Sequence, residues 1–185
     1  MEKVLVSACL LGAAVRYHGG DAACGHPILR QWREEGRVIP VCPEQEGGLP
    51  TPRPPAEMIP PPLDRRTQPS HAFSNAAGGG AVIAGTAMVR TIRGDDVTPQ
   101  FCQGAGRALE LAEQHRIRTV VLKEGSPSCA SASVYDGTFS GTRVAGVGVT
   151  TALLEAHGIR VFNETQIESA QQWLDQLERL HSSSS

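Results

Sequence analysis

The chain has 185 residues and a formal net charge of −2, which fits one compact domain and excludes a broad basic surface that tracks nucleic-acid backbone. Leu, Val, Ile and Phe together number 41, enough for a core, while 20 glycines and 13 prolines make the chain loop-rich. No apolar run approaches the roughly 18 residues needed to cross a bilayer, and Met1-Glu2-Lys3-Val4 leads straight into a strand-like segment without a signal peptide's apolar stretch, so the sequence reads as cytoplasmic.

Lys3 to Ala8, dense in Val and Leu, reads as a strand buried on both faces. A polar, glycine-containing loop follows from Gly12 to Gly25. Pro27 then opens a short helix bearing Ile28, Leu29 and Trp32, and Gly36 ends it. Arg37 to Cys42 is a second strand, closing a β-α-β unit with parallel strands and a right-handed crossover. Eight of the 13 prolines fall between 50 and 69, and Gly78-Gly79-Gly80 closes that stretch. Residues 43–80 are therefore expected to lack regular structure, with a Pro/Gly-rich insert over about 54–80. Ala81 to Arg93 offers a short β segment or hairpin.

Thr98-Pro99 starts a helix, the hydroxyl as cap and the proline in the first turn, with Phe101, Ala105, Ala108, Leu109 and Ala112 on one apolar face. Arg118 to Lys123 is the next buried strand, followed by a Ser/Gly-rich loop from Glu124 to about Gly146. Val149 to His157 is a short helix stopped by Gly158, and Ile159 to Phe162 another strand. Thr165-x-x-Glu168 reads as a capping box ahead of a last helix carrying Ile167, Ala170, Leu174, Leu177 and Leu180. Strand and helix alternate throughout, so the class is α/β: a mainly parallel, Rossmann-like sheet with flanking helices. Residues 1–164 form that α/β domain, and 165–185 add a C-terminal helix and Ser tail to it.

Five cysteines cannot all pair internally, and none forms a CxxC. Cys9 lies just past the first strand, Cys42 ends the second, and Cys129 follows the strand at 118–123. All three belong to the carboxyl edge of the sheet, where open α/β folds place ligands. Cys102 shares a helix face with Leu109 and reads as a small buried hydrophobe, and Cys24 as a spare loop thiol. Three thiols at one edge fit three readings: core residues, a nucleophile with neighbours, or a three-thiolate metal or cluster site with one position open. Glu44, two residues from Cys42, and Ser126 and Ser128, just before Cys129, supply a carboxylate and hydroxyls that could hold and deprotonate a water at such a position. They could equally cap a loop and make turns.

A resemblance then emerges over residues 3 to about 164. Val6-Ser7-Ala8-Cys9-Leu10-Leu11-Gly12, Arg16-Tyr17 and the run from Val41-Cys42-Pro43-Glu44 to Pro52-Arg53 resemble the thiouracil desulfidase family. Lys123-Glu124, Ser126-Pro127-Ser128-Cys129, Tyr135-Asp136-Gly137-Thr138-Phe139 and Gly146-Val147-Gly148-Val149-Thr150 continue the match in the family's order. The resemblance implies a 4Fe–4S cluster held by Cys9, Cys42 and Cys129. One iron would stay open for the sulfur of a thiolated pyrimidine, and water would replace that sulfur without net redox change. It also implies that Glu44 and Ser126 handle the water. Gly125, Ala130 and His18 depart from the family's common residues, and the Pro/Gly insert is longer than usual; these bear on substrate preference and leave the ligands untouched.

Related chains with an added domain act on thiolated uridine in transfer RNA. Without such an extension or a basic surface, the expected partner here is a free thio-base or thio-nucleoside, with transfer RNA the weaker candidate and no membrane. The base is expected over the open iron, covered by the loop around Arg16-Tyr17 and the segment near Pro52-Arg53, because a neutral heteroaromatic needs an apolar slot with few oriented polar groups. Two other readings compete. A cysteine-nucleophile hydrolase using Cys129 or Cys9 wants a partner base, and none of the six histidines lies in the three converging segments. A non-enzymatic metal or iron–sulfur module would need neither Glu44 nor Ser126.

Overall fold

The computed structural model describes residues 1–60 and 78–182. In chain order the elements are β1 (Val4–Ser7), α1 (Pro27–Glu34), β2 (Val38–Val41), α2 (Pro43–Glu46), β3 (Ala56–Ile59), α3 (Gly79–Ile83) and β4 (Met88–Thr91). The second half adds α4 (Thr98–Gln114), β5 (Thr119–Leu122), β6 (Ser133–Tyr135), β7 (Arg143–Ala145), α5 (Val149–Ala156), β8 (Arg160–Asn163) and α6 (Ile167–Ser182).

The central sheet runs β2-β1-β5-β8, and every neighbouring pair is parallel. Val4, Leu5 and Val6 of β1 and Val120, Val121 and Leu122 of β5 are fully buried, because helices cover both faces. On one face α1 and α6 bring Leu29, Trp32, Ile167, Ala170 and Leu174. On the other, α4 and α5 bring Ala108, Ala112 and Leu154. The α/β class with a parallel sheet is thus observed, and α6 packs into the same core as β1. β2 lies at the sheet edge, where its exposed Pro40 costs no central ladder bond.

Between 43 and 60 the chain is more ordered than expected. Pro43 starts a one-turn helix, α2, and Ala56–Ile59 forms β3, antiparallel to β4. Gly79–Ile83 is helical, so only the second half of the segment expected to be β is a strand. These short elements gain a core of their own from Met58, Val82, Val89, Phe101, Val134 and Val149. Residues 61–77 of the expected insert lie outside the described residues. The Ser/Gly-rich loop contains the antiparallel β6–β7 hairpin.

Two expected caps are also rearranged. Thr98 is already helical; its amide donates to Asp96 Oδ1 at 2.9 Å, and its hydroxyl accepts from the Val89 amide at 2.8 Å. Thr165 donates its hydroxyl to Asn163 Oδ1 at 2.7 Å, while Glu168 meets His26 Nε2 at 2.8 Å, so no reciprocal capping box forms.

α2 lies on α4 with the backbones nearly touching. A Cβ at Gly47 would come within 1.9 Å of the Gln100 carbonyl oxygen, and one at Gly104 within 1.9 Å of the Pro43 oxygen. Gly104→Ala is expected to destabilise the fold by about 1–3 kcal/mol, a few degrees of Tm. Gly106→Ala, whose Cβ meets nothing within 4 Å on the same helix, should match or exceed the parent. Scanning calorimetry of the two variants reads the difference; equal melting temperatures would refute the close contact.

Candidate active site

β1 has β2 on one side and β5 on the other, with α1 on one face of the sheet and α4 on the opposite face. The connections therefore part at the carboxyl ends of β1 and β5, which is where open α/β sheets leave a crevice. A cavity of about 530 Å³ opens at that place. Cys9 reaches it from the single 3-10 turn Ala8–Leu11 that follows β1, Cys42 from the junction of β2 and α2, and Cys129 from the loop after β5. Glu44, Ser126, Arg16, Tyr17 and Arg53 line the same cavity. Cys24 and Cys102 do not; Cys24 packs at the margin of the α1/α6 core and Cys102 beside Met58 and Phe101.

Two of the thiol-bearing turns are held by backbone bonds from elsewhere in the chain. The carbonyls of Pro127, Ser128 and Ala130 accept from the amides of Val149, Thr150 and Gly148 at 2.8–3.0 Å, and Thr151 Oγ1 donates to the Cys129 carbonyl at 3.0 Å. The start of α5 thus clamps the Cys129 loop. The contact requires glycine at 148, where a Cβ would lie 2.3 Å from the Ser128 oxygen. The carbonyls of Cys9 and Leu10 accept from the amides of Ala22 and Cys24 at 3.0 and 2.9 Å, which folds the 12–25 loop back onto the first turn.

The polar side chains meet as a connected set. Arg53 donates from Nε to Glu44 Oε2 at 2.8 Å, and its Nη2 bonds the same oxygen. Its Nη1 bonds the Val15 and Pro50 carbonyls and Thr51 Oγ1 at 3.1–3.2 Å. All three nitrogens of the expected base-contacting arginine are engaged within the protein. Ser126 donates its hydroxyl to Glu44 Oε1 at 3.0 Å and accepts from the Ser128 and Cys129 amides at 3.1 and 3.3 Å. The Arg53 and Glu44 side chains are only 6% and 14% exposed, so the ion pair keeps its strength against solvent screening.

Burial, then the neighbouring Cys42, pushes the Cys9 thiol up to about 11, against the pull of Arg16 and Lys123. Burial and Glu44 also raise Cys42. Burial raises Cys129 most of all, with Glu44, Cys42 and Cys9 adding to it. A cysteine nucleophile needs a lowered thiol pKa or an adjacent base, and among the described residues no histidine lines the cavity to act as that base. Among the described residues, no three or more His, Cys, Asp or Glu side chains could hold a single metal ion. The three thiols instead share the wall of one cavity, a soft donor set suited to a polynuclear iron–sulfur group. The residues present fit the three-cysteine cluster that the resemblance implies.

Two further carboxylates had no role in the sequence reading. Glu57 of β3 accepts from the amides of Gly137 and Phe139 at 2.9 and 3.1 Å. Glu124 accepts from the amides and hydroxyls of Ser131 and Ser133 at 2.9–3.3 Å, with Asn163 and Arg143 at 3.4 Å. A carboxylate two residues before a serine-rich stretch was the available signal for Glu124; Glu57 carried none.

A family model described as 2-thiouracil desulfurase matches residues 4–166. The chain is 40% identical over 164 residues to YbbK, an uncharacterized protein of Bacillus subtilis (strain 168), covering 89% of this chain and 97% of that one. A solved structure described as a [4Fe-4S]-dependent thiouracil desulfidase, TudS, is 43% identical with a TM-score of 0.78, covering 95% of this chain and 99% of that one.

The Glu124 anchor can be tested apart from any chemistry. Burial opposes its ionisation, but the donors from Ser131 and Ser133 outweigh that and hold the carboxyl below its ordinary range. A depressed carboxyl stabilises the fold above the unfolded-state pKa and loses that contribution as pH falls through the folded-state value. Glu124→Gln should therefore melt below the parent at neutral pH, and the gap should close as pH drops below about 4.5. Thermal melts across pH read this; a constant gap would show that the charge is irrelevant.

Proposed function

The chain belongs to the 2-thiouracil desulfurase family, and from that membership and the site's geometry we propose that it is an iron–sulfur-dependent desulfidase converting a thiolated uracil to its oxo form and sulfide. One observation carries the reading: three thiols from three strand ends share a cavity wall with a carboxylate already hydrogen-bonded to a serine. Cys9, Cys42 and Cys129 would hold a 4Fe–4S cluster by three irons and leave the fourth open. When bound, such a cluster supplies a Lewis acid that draws electrons from the carbon bearing sulfur and accepts the departing sulfur. One water enters and one hydrogen sulfide leaves, so the carbon keeps its oxidation state and no electron donor is required.

The chain's own groups handle that water. Ser126 Oγ, fixed by two amides, orients it by turning its one O–H from Glu44 Oε1 to the water. Glu44 Oε1, the oxygen that faces Ser126, takes its proton, while Arg53 keeps Oε2 in place. Arg53 is thus a positioning residue for Glu44. Arg16 and Tyr17 meet the base from the 12–25 loop. A net charge of −2 and a cavity of about 530 Å³ favour a free base or nucleoside over transfer RNA. A reducing cytoplasm, where thiols stay free, suits the chemistry.

The test is turnover of 4-thiouracil to uracil and sulfide by anaerobically reconstituted protein. Alanine at Cys9, Cys42 or Cys129 should abolish iron, sulfide and visible absorption, while Cys24→Ala and Cys102→Ala keep them. Glu44→Gln should lose about 10²- to 10⁴-fold in kcat with the cluster retained, and Ser126→Ala less, because another water can partly replace its hydroxyl. A near-normal rate in Glu44→Gln would remove it as the base. Absence of sulfide from every thio-base offered would sink the desulfidase reading.

A further inference from the structure

The wall of the cavity away from the thiols comes from β3, the segment after β4, α4 and the β6–β7 turn. In that turn Phe139 has φ 57°, a left-handed conformation that a bulky L-residue holds only when its surroundings impose it. The imposing group is Glu57. Its side chain projects from β3 in a residue only 7% exposed, and one oxygen, Oε2, accepts from the amides of both Gly137 and Phe139. The turn lies directly on β3, since a Cβ at Gly137 would sit 2.6 Å from the Met58 carbonyl oxygen. Asp136 Oδ1 closes the turn from within by accepting from the Thr138 amide and hydroxyl at 3.0 and 2.6 Å.

Four aromatic rings line the cavity, and two of them are committed elsewhere: Phe101 is 1% exposed in the core, and Tyr135 lies under the Arg143 guanidinium at 5.7 Å. Tyr17, its edge against His18 at 4.9 Å, stands on the 12–25 loop and not on this wall. Phe139 alone, among the described residues, lines the cavity half-exposed with no ring or cation on it. A planar, neutral thio-base has few charges to recognise and a large π face, so stacking on a fixed ring is the interaction it offers. We propose that Phe139 is the specificity wall against which the base stacks, and that Glu57 is the positioning residue that holds the ring there. This inference rests on the desulfidase reading of the same cavity for the identity of the ligand.

Equilibrium binding of 4-thiouracil to the reconstituted protein, read from the thio-base absorption at low temperature before turnover, separates this inference from the chemistry. Phe139→Ala and Phe139→Gly should bind about 5- to 150-fold more weakly, with KM raised and kcat within a few fold, while Phe139→Tyr keeps the ring and binds within about threefold. Phe139→Gly should melt no lower than the parent, because glycine accepts the left-handed conformation, so its loss of binding is not loss of fold. Glu57→Ala should weaken binding as Phe139→Ala does and add nothing in the double variant, whereas Glu57→Gln, which keeps an acceptor, should rescue it. Unchanged affinity in Phe139→Ala overturns the wall, equal losses in the Tyr and Ala variants overturn stacking, and additive losses in the double variant overturn the role of Glu57. A parent that binds the base through Phe139 yet releases no sulfide would sink the desulfidase reading and leave this one standing.

Discussion

β1 is hydrogen-bonded to β2 along one edge and to β5 along the other, and this double pairing is what the rest of the site depends on. With α1 packed on one face and α4 on the other, the chain segments leaving β1 and β5 separate and leave space between them. Three strand ends then deliver one thiol each into that space. The fourth strand, β8, delivers none but braces the opening: Asn163 reaches Glu124 and Ser131, and Glu164 pairs with Lys123 at 2.5 Å. Moving β1, β2 or β5 would shift a thiol relative to the other two, so sheet register and site geometry are a single constraint.

Two carboxylates near the crevice show how environment divides the same side chain into different roles. A carboxylate has about four acceptor positions on its two oxygens. Glu124 meets donors on both, from Ser131 and Asn163 on Oε2 and from Ser133 and Arg143 on Oε1, so it is saturated and serves as an anchor for the Cys129 loop. Glu44 is held on Oε2 by a charged fork but receives only the Ser126 hydroxyl on Oε1 among the described residues. It is oriented without being filled, so Oε1 keeps an acceptor position for one more donor.

Much of this frame was readable from residue order. A strand covered on both faces writes an unbroken Val/Leu run, as in Val4-Leu5-Val6 and Val120-Val121-Leu122, and Pro27 and Pro99 marked helix starts. Once strand order was known, the grouping of Cys9, Cys42 and Cys129 followed from parallel topology. The rest was hidden by distance or by shortness. β3, β6 and β7 have three or four residues, too few for alternation to speak, and Glu57 breaks the apolar pattern of β3 because it bonds to a turn 80 residues on. Thr98 and Thr165 had local capping patterns, but the Val89 amide of β4 bonds the first hydroxyl and the Asn163 side chain, two residues back, takes the second. A capping pattern fails when another group, near or far along the chain, satisfies the same atom.

The cavity thus has two walls with separate structural supports. The thiols, Glu44 and Ser126 stand on the parallel sheet and its two helix layers, while Glu57, Phe139 and the residues after β4 stand on the third cluster around Met58, Val89 and Val134. They meet at the α2–α4 contact, where glycines let backbone touch backbone, and at Ala130 and Val149, which join the third cluster to the Cys129 loop. The β6–β7 turn itself carries none of the thiols. A fold divided in this way keeps its chemistry fixed on the rigid sheet and leaves the choice of base to a short hairpin, where the left-handed Phe139 is held by a single carboxylate oxygen.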